Sequence, residues 1–287
     1  AAGLAAGAAC TVDVRFRPAT EGTKSATLNV SGTPGGVASA TLSGSTLPAI
    51  THVATLNNHT CATNGTNDRG GMVWCWGANG AGQLGNADLS NHPYPTLVPG
   101  LTNVAEIAVG DGFTCARDAD GSMRCWGSNS SGKLGDGTSV NSSTPKPVSG
   151  LVNVEQLALG WEHACARTAD DNLYCWGSNA SGQLGNGSTA NSPTPMFVAG
   201  LNNLAEIAVG GRIGDRHGNG RSTCPRTCAR TNDGKIYCWG SDEYGALGID
   251  PAILDLFVPT ILPDLADITG LAAGGFHSCA RNSDGRI

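Results

Sequence analysis

The sequence predicts an all-β protein assembled from similar units of about 50 residues. Three observations support this prediction. Trp76, Trp126 and Trp176 follow one another at intervals of 50 residues. Short apolar runs alternate with glycine-rich turns, and a composition of 42 Gly and 14 Pro among 287 residues disfavours long helices. A period of this length is typical of propeller blades or solenoid turns rather than of independent domains.

Each unit contains four candidate strands. NVAEIAVG (103–110) is a short apolar strand that returns as NVEQLALG (153–160) and NLAEIAVG (203–210). FTCAR and MRCWG supply the next two strands, joined by a tight turn of acidic and glycine residues. TPKPV and its copies supply a fourth strand at the sheet edge, where proline is tolerated. Four short strands in about 50 residues predict a β-propeller blade.

The first 48 residues have a different pattern. TVDVRF and SATLNV alternate apolar and polar residues, with turn signals between them. This stretch resembles the closing strands of the immunoglobulin-like modules of abnormal-spindle and hydin proteins, which implies a partial β-sandwich at 1–48. We therefore expect the propeller region at 49–287. Its repeats are expected at about 50–99, 100–149, 150–199 and 200–262, with a partial repeat at 263–287.

The cysteines follow hairpin geometry. In a hairpin centred on Asp120 or Gly121, Cys115 lies opposite Cys125, and opposed residues have Cα atoms about 4.5–5.5 Å apart, within reach of a disulfide. The same rule, with a longer tip in the first copy, predicts four disulfides: Cys61–Cys75, Cys115–Cys125, Cys165–Cys175 and Cys228–Cys238. Zinc ligation is the alternative, but the CxxC clustering of zinc sites is absent. Regular disulfides favour an oxidising compartment, so an extracellular or cell-surface location is expected.

The repeat is similar to that of a known family. GDGFTCARDADGSMRCWGSNSSGKLGDG, the CWGAN and CWGSN motifs, and GQLGN at 82–86 and 182–186 resemble the regulator-of-chromosome-condensation repeat. The resemblance covers residues 50–287 and implies a seven-bladed propeller. Seven blades need about 350 residues, so an incomplete propeller is expected in this chain. The paired cysteines depart from the nuclear members and indicate a secreted bacterial variant.

Charge and motifs exclude several function classes. A net charge of -6 and a pI near 5.4 disfavour nucleic-acid binding. No apolar run reaches the roughly 18–20 residues of a membrane span, so no membrane insertion by this segment is expected. GxSxG, HExxH and phosphate-loop motifs are absent from the sequence. His59, His163 and His277 recur at one strand position, which favours a structural role. We therefore expect no enzyme activity, no cofactor and no metal.

An irregular segment, GGRIGDRHGNGRSTCPRT, interrupts the passage to the fourth repeat. Two interpretations stay open for it, a tolerated surface insertion and a loop that contacts a partner. The candidate contact residues are Arg212, Arg216, His217, Arg221 and Arg226.

Three cysteines have no place among the four pairs. Cys224 pairs elsewhere, competes with Cys228 for Cys238, or joins His217 and Cys228 in a zinc site. Cys10 and Cys279 are without a partner in this scheme, and Cys279 is expected to pair near position 289.

Three functional hypotheses follow. The first is a non-catalytic interaction or adhesion scaffold that presents loops to a protein or glycan. The second is a structural subunit of an extracellular filament or array, formed by self-assembly with neighbouring chains. The third, implied by the nuclear family members, is guanine-nucleotide exchange on a small GTPase, and the regular cysteines argue against it.

Overall fold

A computed structural model describes residues 22–31, 37–46, 50–65, 70–211, 224–249, 255–263, 265 and 267–287. The chain divides into two compact units, residues 1–49 and 50–287.

The first unit contains an antiparallel hairpin. Strand β1 (Gly22–Ser31) pairs with β2 (Val37–Thr46), and the register runs from Gly22 opposite Thr46 to Ser31 opposite Val37. The predicted strand TVDVRF and Cys10 lie outside the described residues. The immunoglobulin-like assignment stays a prediction.

The described part of the second unit consists of five antiparallel sheets, called blades 1 to 5 here. The all-β class and the four-stranded unit are confirmed, and the number of blades in a whole propeller stays a prediction. Blade 1 contains β3 (His52–Leu56), β4 (His59–Thr63), β5 (Val73–Gly77) and β6 (His92–Leu97). Blade 2 contains β7 (Val104–Val109), β8 (Phe113–Asp118), β9 (Met123–Gly127) and β10 (Ser142–Pro147). Blade 3 contains β11 (Val154–Leu159), β12 (His163–Thr168), β13 (Leu173–Gly177) and β14 (Ser192–Phe197). Blade 4 contains β15 (Leu204–Gly210), β16 (Arg226–Thr231), β17 (Ile236–Ser241) and β18 (Asp255–Ile261), and blade 5 contains β19 (Ile268–Ala273) and β20 (Ser278–Asn282).

The first strands of successive blades lie side by side. The side chain of Gln156 in β11 bonds both backbone groups of Ile207 in β15, at 2.9 and 3.2 Å. Glu206 in β15 accepts the backbone N–H of Leu271 in β19 at 3.1 Å. The fourth strands carry the prolines and lie at the opposite edge of each sheet, where a missing N–H breaks no ladder.

The hairpin tip between β8 and β9 contacts the following blade. Gly121 has a φ of +79°, and its carbonyl oxygen accepts the backbone N–H of Val154 at 3.0 Å. A Cβ atom at this position would lie 2.8 Å from the Cα atom of Asn153. Glycine is therefore required both by the turn and by the close approach of blade 3.

Each of blades 1 to 4 has a Gly-x-Leu-Gly loop after its third strand, and in blades 1 to 3 this loop bonds a tryptophan of the next blade. These loops are residues 82–85, 132–135, 182–185 and 245–248. In the first loop the carbonyl oxygen of Gln83 accepts the indole N–H of Trp126 in blade 2 at 2.9 Å. A Cβ atom at Gly85 would lie 2.6 Å from the same indole nitrogen. Trp176 and Trp239 repeat the bond with the carbonyl oxygens of Lys133 and Gln183. The motif is therefore a joint between blades as well as a turn.

Apolar side chains of two successive blades form each core cluster. Trp126 of blade 2 packs with Val73, Leu84 and Val98 of blade 1, and all four side chains are buried. Trp176 and Trp239 have the same surroundings one and two blades further on. One buried indole at each of the first three joints therefore contributes to the apolar packing of one blade on the next.

Candidate functional site

The first strands of blades 1, 3, 4 and 5 end at a shared cavity of about 420 Å³. Leu56 at the end of β3 and Ala273 at the end of β19 both line it, so the blades are arranged around a common axis. Trp161, Phe276 and His277 contribute the large polar and aromatic groups of the wall. The loops that follow the first strands form the rim of this cavity.

These rim loops differ from blade to blade. Their central residues are Asn57-Asn58 in blade 1, Asp111-Gly112 in blade 2, Trp161-Glu162 in blade 3 and Gly275-Phe276 in blade 5, while the loop of blade 4 leaves at Gly211 and returns at Cys224. The second and third strands of blades 1 to 4 nevertheless keep the same Cys-Ala and Cys-Trp-Gly pattern. Sequence variation in loops that share one face of a regular scaffold is typical of a binding surface.

Two partly exposed aromatic side chains lie at the rim. Trp161 is half-buried, and Phe276 is 37% exposed. Phe276 also packs edge to face on Tyr244, with ring centroids 5.8 Å apart. Aromatic side chains held in place but still accessible are the groups that most often dominate the energy of protein interfaces.

Polar contacts hold the rim of blades 1 to 3 in place. The Nζ atom of the buried Lys133 donates to the carbonyl oxygen of Asp111 at 2.9 Å and to Glu162 Oε1 at 3.1 Å. The same ammonium lies 5.1 Å from the ring centroid of Phe113. Asn57 Nδ2 donates to Asp111 Oδ1 at 2.8 Å across the first interface. The backbone that carries Trp161 is therefore fixed before any partner binds.

Arg226 does not lie in the contact loop in which the sequence placed it. It begins strand β16, and its side chain is fully buried. Its Nε atom donates to Ser278 Oγ at 2.8 Å, and its Nη2 atom donates to the carbonyl oxygens of Gly274, at 3.0 Å, and His277. A buried guanidinium cannot contact a partner, so Arg226 instead fixes the rim loop of blade 5. Arg212, Arg216, His217 and Arg221 lie outside the described residues.

The structure places all four predicted cysteine pairs in disulfide bonds. Each pair joins the second and third strands of its blade at directly opposed positions, with Cα atoms 4.1 Å apart. The eight half-cystines are buried at 0–1% exposure. The disulfides therefore lie inside the blades and away from the rim.

The sequence profile of the Regulator of chromosome condensation (RCC1) repeat matches residues 70–117, 120–167, 170–214 and 233–281, more than half of the chain. The chain belongs to the RCC1 repeat family. A second profile of the same repeat matches residues 104–133, 154–183 and 213–246.

Solved structures with RCC1-type propellers resemble this RCC1 repeat chain. Prp20p from Saccharomyces cerevisiae has 22% sequence identity and a TM-score of 0.67, with 84% of this chain and 57% of Prp20p covered. Yeast RCC1 (Prp20) bound to Kap60 has 23% identity and a TM-score of 0.68, with 82% and 54% covered. Human WBSCR16 has 21% identity and a TM-score of 0.69, with 89% and 67% covered.

These likenesses confirm the predicted propeller fold of the RCC1 repeat chain. The chain spans a little over half the length of the yeast proteins. No curated protein sequence matches it significantly.

Cys224 of the RCC1 repeat chain is a free, buried thiol. Burial and the nearby Glu243, whose Oε2 atom lies 3.7 Å from Cys224 Sγ, raise the pKa of the thiol to about 12. Because Cys228 is bonded to Cys238, the hypotheses of a zinc site and of competition for Cys238 are wrong.

Within the described ranges, no group of three or more His, Cys, Asp or Glu residues is placed to hold a metal ion. No helix in the same ranges is long and apolar enough to cross a bilayer.

The sequence indicated a structural role for His59, His163 and His277 but not the partners of the first two, and His277 is exposed in the cavity wall. His59 Nε2 lies 2.9 Å from Thr114 Oγ1 in the next blade, and burial lowers the pKa of His59 to about 4. His163 has the same relation to Thr227, and burial lowers its pKa to about 3.

Successive repeats carry matching residues at these two positions. His59 is the first residue of the second strand in blade 1, and Thr114 is the second residue of the corresponding strand in blade 2. His163 and Thr227 have the same positions in blades 3 and 4. Phe113 is instead followed by Ala164, and both lie in one core cluster. A small residue opposite the larger ring keeps the volume of the joint nearly constant.

Proposed function

We propose that this RCC1 repeat chain is a non-catalytic extracellular or cell-surface interaction scaffold, which binds a protein or glycan partner at the rim of the central cavity. The observation that carries the proposal is the contrast between repeated, disulfide-bonded blades and rim loops that differ in every blade. Such a construction separates stability from recognition, because loop residues can vary while the blades keep their packing.

Trp161 is the residue on which binding should depend most. It lines the cavity, and Lys133 fixes its loop through Glu162. Among the described residues that line the cavity, His277 alone has a titratable side chain. Acid–base catalysis usually needs more than one such group, so the lining supports a binding role.

The binding test uses the oxidised, fluorescently labelled protein on intact cells of the source organism. Trp161→Ala should reduce bound fluorescence at least tenfold because an anchor of the interface is lost. Tyr94→Ala is the matched control, because Tyr94 is 77% exposed on the outer strand β6 and should change binding less than twofold. Equal binding of both variants and the unmodified protein contradicts the assignment of the rim.

The compartment is tested separately. Living cells are treated with a membrane-permeant alkylating reagent before lysis, and the eight paired cysteines are mapped by mass spectrometry. An extracellular protein should show all eight unmodified, because they are bonded in an oxidising compartment. Alkylation of these positions in the cell contradicts an extracellular function.

Nucleotide exchange is the second candidate. Prp20p from yeast has binding properties to Gsp1p and histones, which favours proteins as the partner class. Release of a fluorescent GDP analogue from small GTPases of the source organism tests exchange directly. The scaffold proposal expects acceleration below twofold, and a large acceleration that persists after reduction of the disulfides favours exchange.

A further inference from the structure

The wall of the central cavity carries no Asp, Glu, Lys or Arg among its described residues. Two acidic side chains of the rim loops already have hydrogen-bond partners. Asp111 Oδ1 accepts Asn57 Nδ2 at 2.8 Å, and Glu162 Oε1 accepts the ammonium of Lys133 at 3.1 Å. A charged group that left water for this cavity would lack a partner of opposite charge in the wall, and such burial is unfavourable. The group that enters is therefore expected to be uncharged.

Hydrogen-bonding groups on the blade 5 side of the wall are already used. The N–H groups of the buried Arg226 donate to Ser278 Oγ and to the carbonyl oxygens of Cys224, Gly274, Gly275 and His277. The backbone N–H of Gly211 donates to the carbonyl oxygen of Gly274 at 3.1 Å, and that of Gly274 donates to the carbonyl oxygen of His277 at 2.9 Å. A sugar ring brings several hydroxyl groups, and each of them needs a replacement for the water that it loses on burial. These wall groups are not free to supply it, which disfavours a glycan as the occupant.

Apolar and aromatic side chains form much of the remaining wall. Leu159 and Trp161 come from blade 3, and Phe276 comes from blade 5. All three are partly exposed, so a group in the cavity can contact them. An apolar group gains free energy by leaving water here and gives up no hydrogen bond of its own. The volume of about 420 Å³ lies within the range of small-ligand sites and leaves room for a whole side chain.

Polar groups of the rim loops surround this apolar cavity. Asn58 is exposed, and Asp111 and Glu162 are partly exposed. A protein interface has the same anatomy, with an apolar centre and a polar edge. A protein loop can satisfy both parts at once, because its backbone is polar and a side chain at its tip can be apolar. The charge, the hydrogen bonding and the shape of the site therefore favour a loop of a protein as the occupant.

We propose that the central cavity receives one large uncharged side chain, aromatic or branched aliphatic, from a loop of a partner protein. The side chain packs on Leu159, Trp161 and Phe276, and the backbone of the loop contacts the polar groups of the rim. This inference rests on the proposed function and goes beyond it, because it selects a protein rather than a glycan and states which kind of side chain enters.

Small probes test the chemistry of the cavity on the oxidised protein. The chain is labelled with fluorotryptophan, and the fluorine NMR resonance of Trp161 is assigned by its loss in Trp161→Phe. The probes are N-acetyltryptophanamide, which is neutral, N-acetyltryptophan, which is anionic, tryptamine, which is cationic, and methyl β-glucopyranoside. The neutral amide should shift the Trp161 resonance with a Kd at least fivefold below the Kd of each other probe. Absence of a shift with the neutral amide, or equal or tighter binding of another probe, overturns the proposal.

A pair of variants at one wall position provides the matched comparison. Leu159→Glu places an unpaired carboxylate in the wall and should raise the Kd of the neutral amide at least fivefold. Leu159→Met keeps an uncharged side chain of similar volume and should change this Kd less than twofold. Val140→Glu is the charge control, because Val140 is 71% exposed and does not line the cavity. The resonances of the buried Trp126 and Trp176 report whether each variant is folded. Equal Kd values for the two Leu159 variants contradict the assignment.

Binding to intact cells separates this proposal from the proposed function. Cells of the source organism are treated with proteinase K, or with periodate to cleave the vicinal diols of glycans, before the fluorescently labelled protein is added. Proteinase K should reduce bound fluorescence at least tenfold, and periodate should change it less than twofold. Loss of binding after periodate, or survival after proteinase K, overturns the protein partner while the proposed function stands. Absence of binding to untreated cells contradicts the proposed function, and the ranking of the probes still decides what the cavity accepts.

Discussion

The Nε2 atom of His59 in blade 1 lies 2.9 Å from the Oγ1 atom of Thr114 in blade 2. Thr114 Oγ1 donates to the carbonyl oxygen of Gln83 at 2.8 Å, so its hydroxyl accepts the bond from a protonated Nε2. His163 and Thr227 repeat the arrangement at the joint of blades 3 and 4. Neutral imidazoles that carry their proton on Nε2 therefore link two pairs of blades.

We expect acid to weaken these two joints. The pKa of His59 is about 4 and that of His163 about 3 in the folded chain, against an ordinary value of 6.5. Below pH 6.5 the unfolded chain binds protons that the folded chain does not, so the free energy of unfolding falls as the pH drops toward 4. The fall amounts to about 2–3 kcal/mol for His59 between pH 7 and 4.5.

Urea unfolding at pH 7, 5.5 and 4.5 measures this fall. A free energy of unfolding that is constant over this range contradicts the assignment.

The pairing between histidine and threonine predicts a compensating exchange. His163→Phe should destabilise the chain by about 2 kcal/mol because the larger ring crowds Thr227 and leaves its hydroxyl without the donor. Adding Thr227→Ala recreates the combination of Phe113 and Ala164 and should recover at least about 1 kcal/mol. A double-mutant cycle by chemical denaturation measures the coupling, and additive effects of the two changes contradict it.

Removal of a joint tryptophan should be costly. Trp126→Ala and Trp176→Ala each delete a fully buried indole and its bond to a loop carbonyl, so a loss of roughly 3–5 kcal/mol is expected. Trp161→Ala is the control, because this half-buried rim residue should cost well under half as much. Equal losses at Trp126 and Trp161 contradict the assignment of the buried face.

The cysteines should differ sharply in reactivity. Iodoacetamide at pH 8 should alkylate the exposed Cys279 and leave Cys224 unmodified, because Cys224 is buried and its pKa is about 12. Unfolding in denaturant should expose Cys224 to the reagent. Peptide mapping under non-reducing conditions reads both results and should also recover the four disulfide-linked pairs. Rapid native labelling of Cys224 contradicts its burial.

The cysteine pairs show what local sequence information determines. Cys115 and Cys125 are ten residues apart, and the turn around Gly121 sets the register that places them opposite each other. A pair joined by a short hairpin needs no knowledge of the rest of the fold. The recurrence of the tryptophans likewise determined the repeat period and the four-stranded unit.

The joints between blades depend on tertiary structure. Trp126 and Gln83 are 43 residues apart, and Arg226 and Ser278 are 52 apart, so neither contact follows from a turn or a strand pattern. Arg226 was predicted in an exposed loop because its neighbours in sequence are charged and glycine-rich. The loop of blade 5 covers Arg226, and the backbone carbonyl oxygens of this loop accept hydrogen bonds from its guanidinium. By itself the sequence determined which residues pair within a hairpin, while only the packing of one blade on the next decided which residues meet between blades.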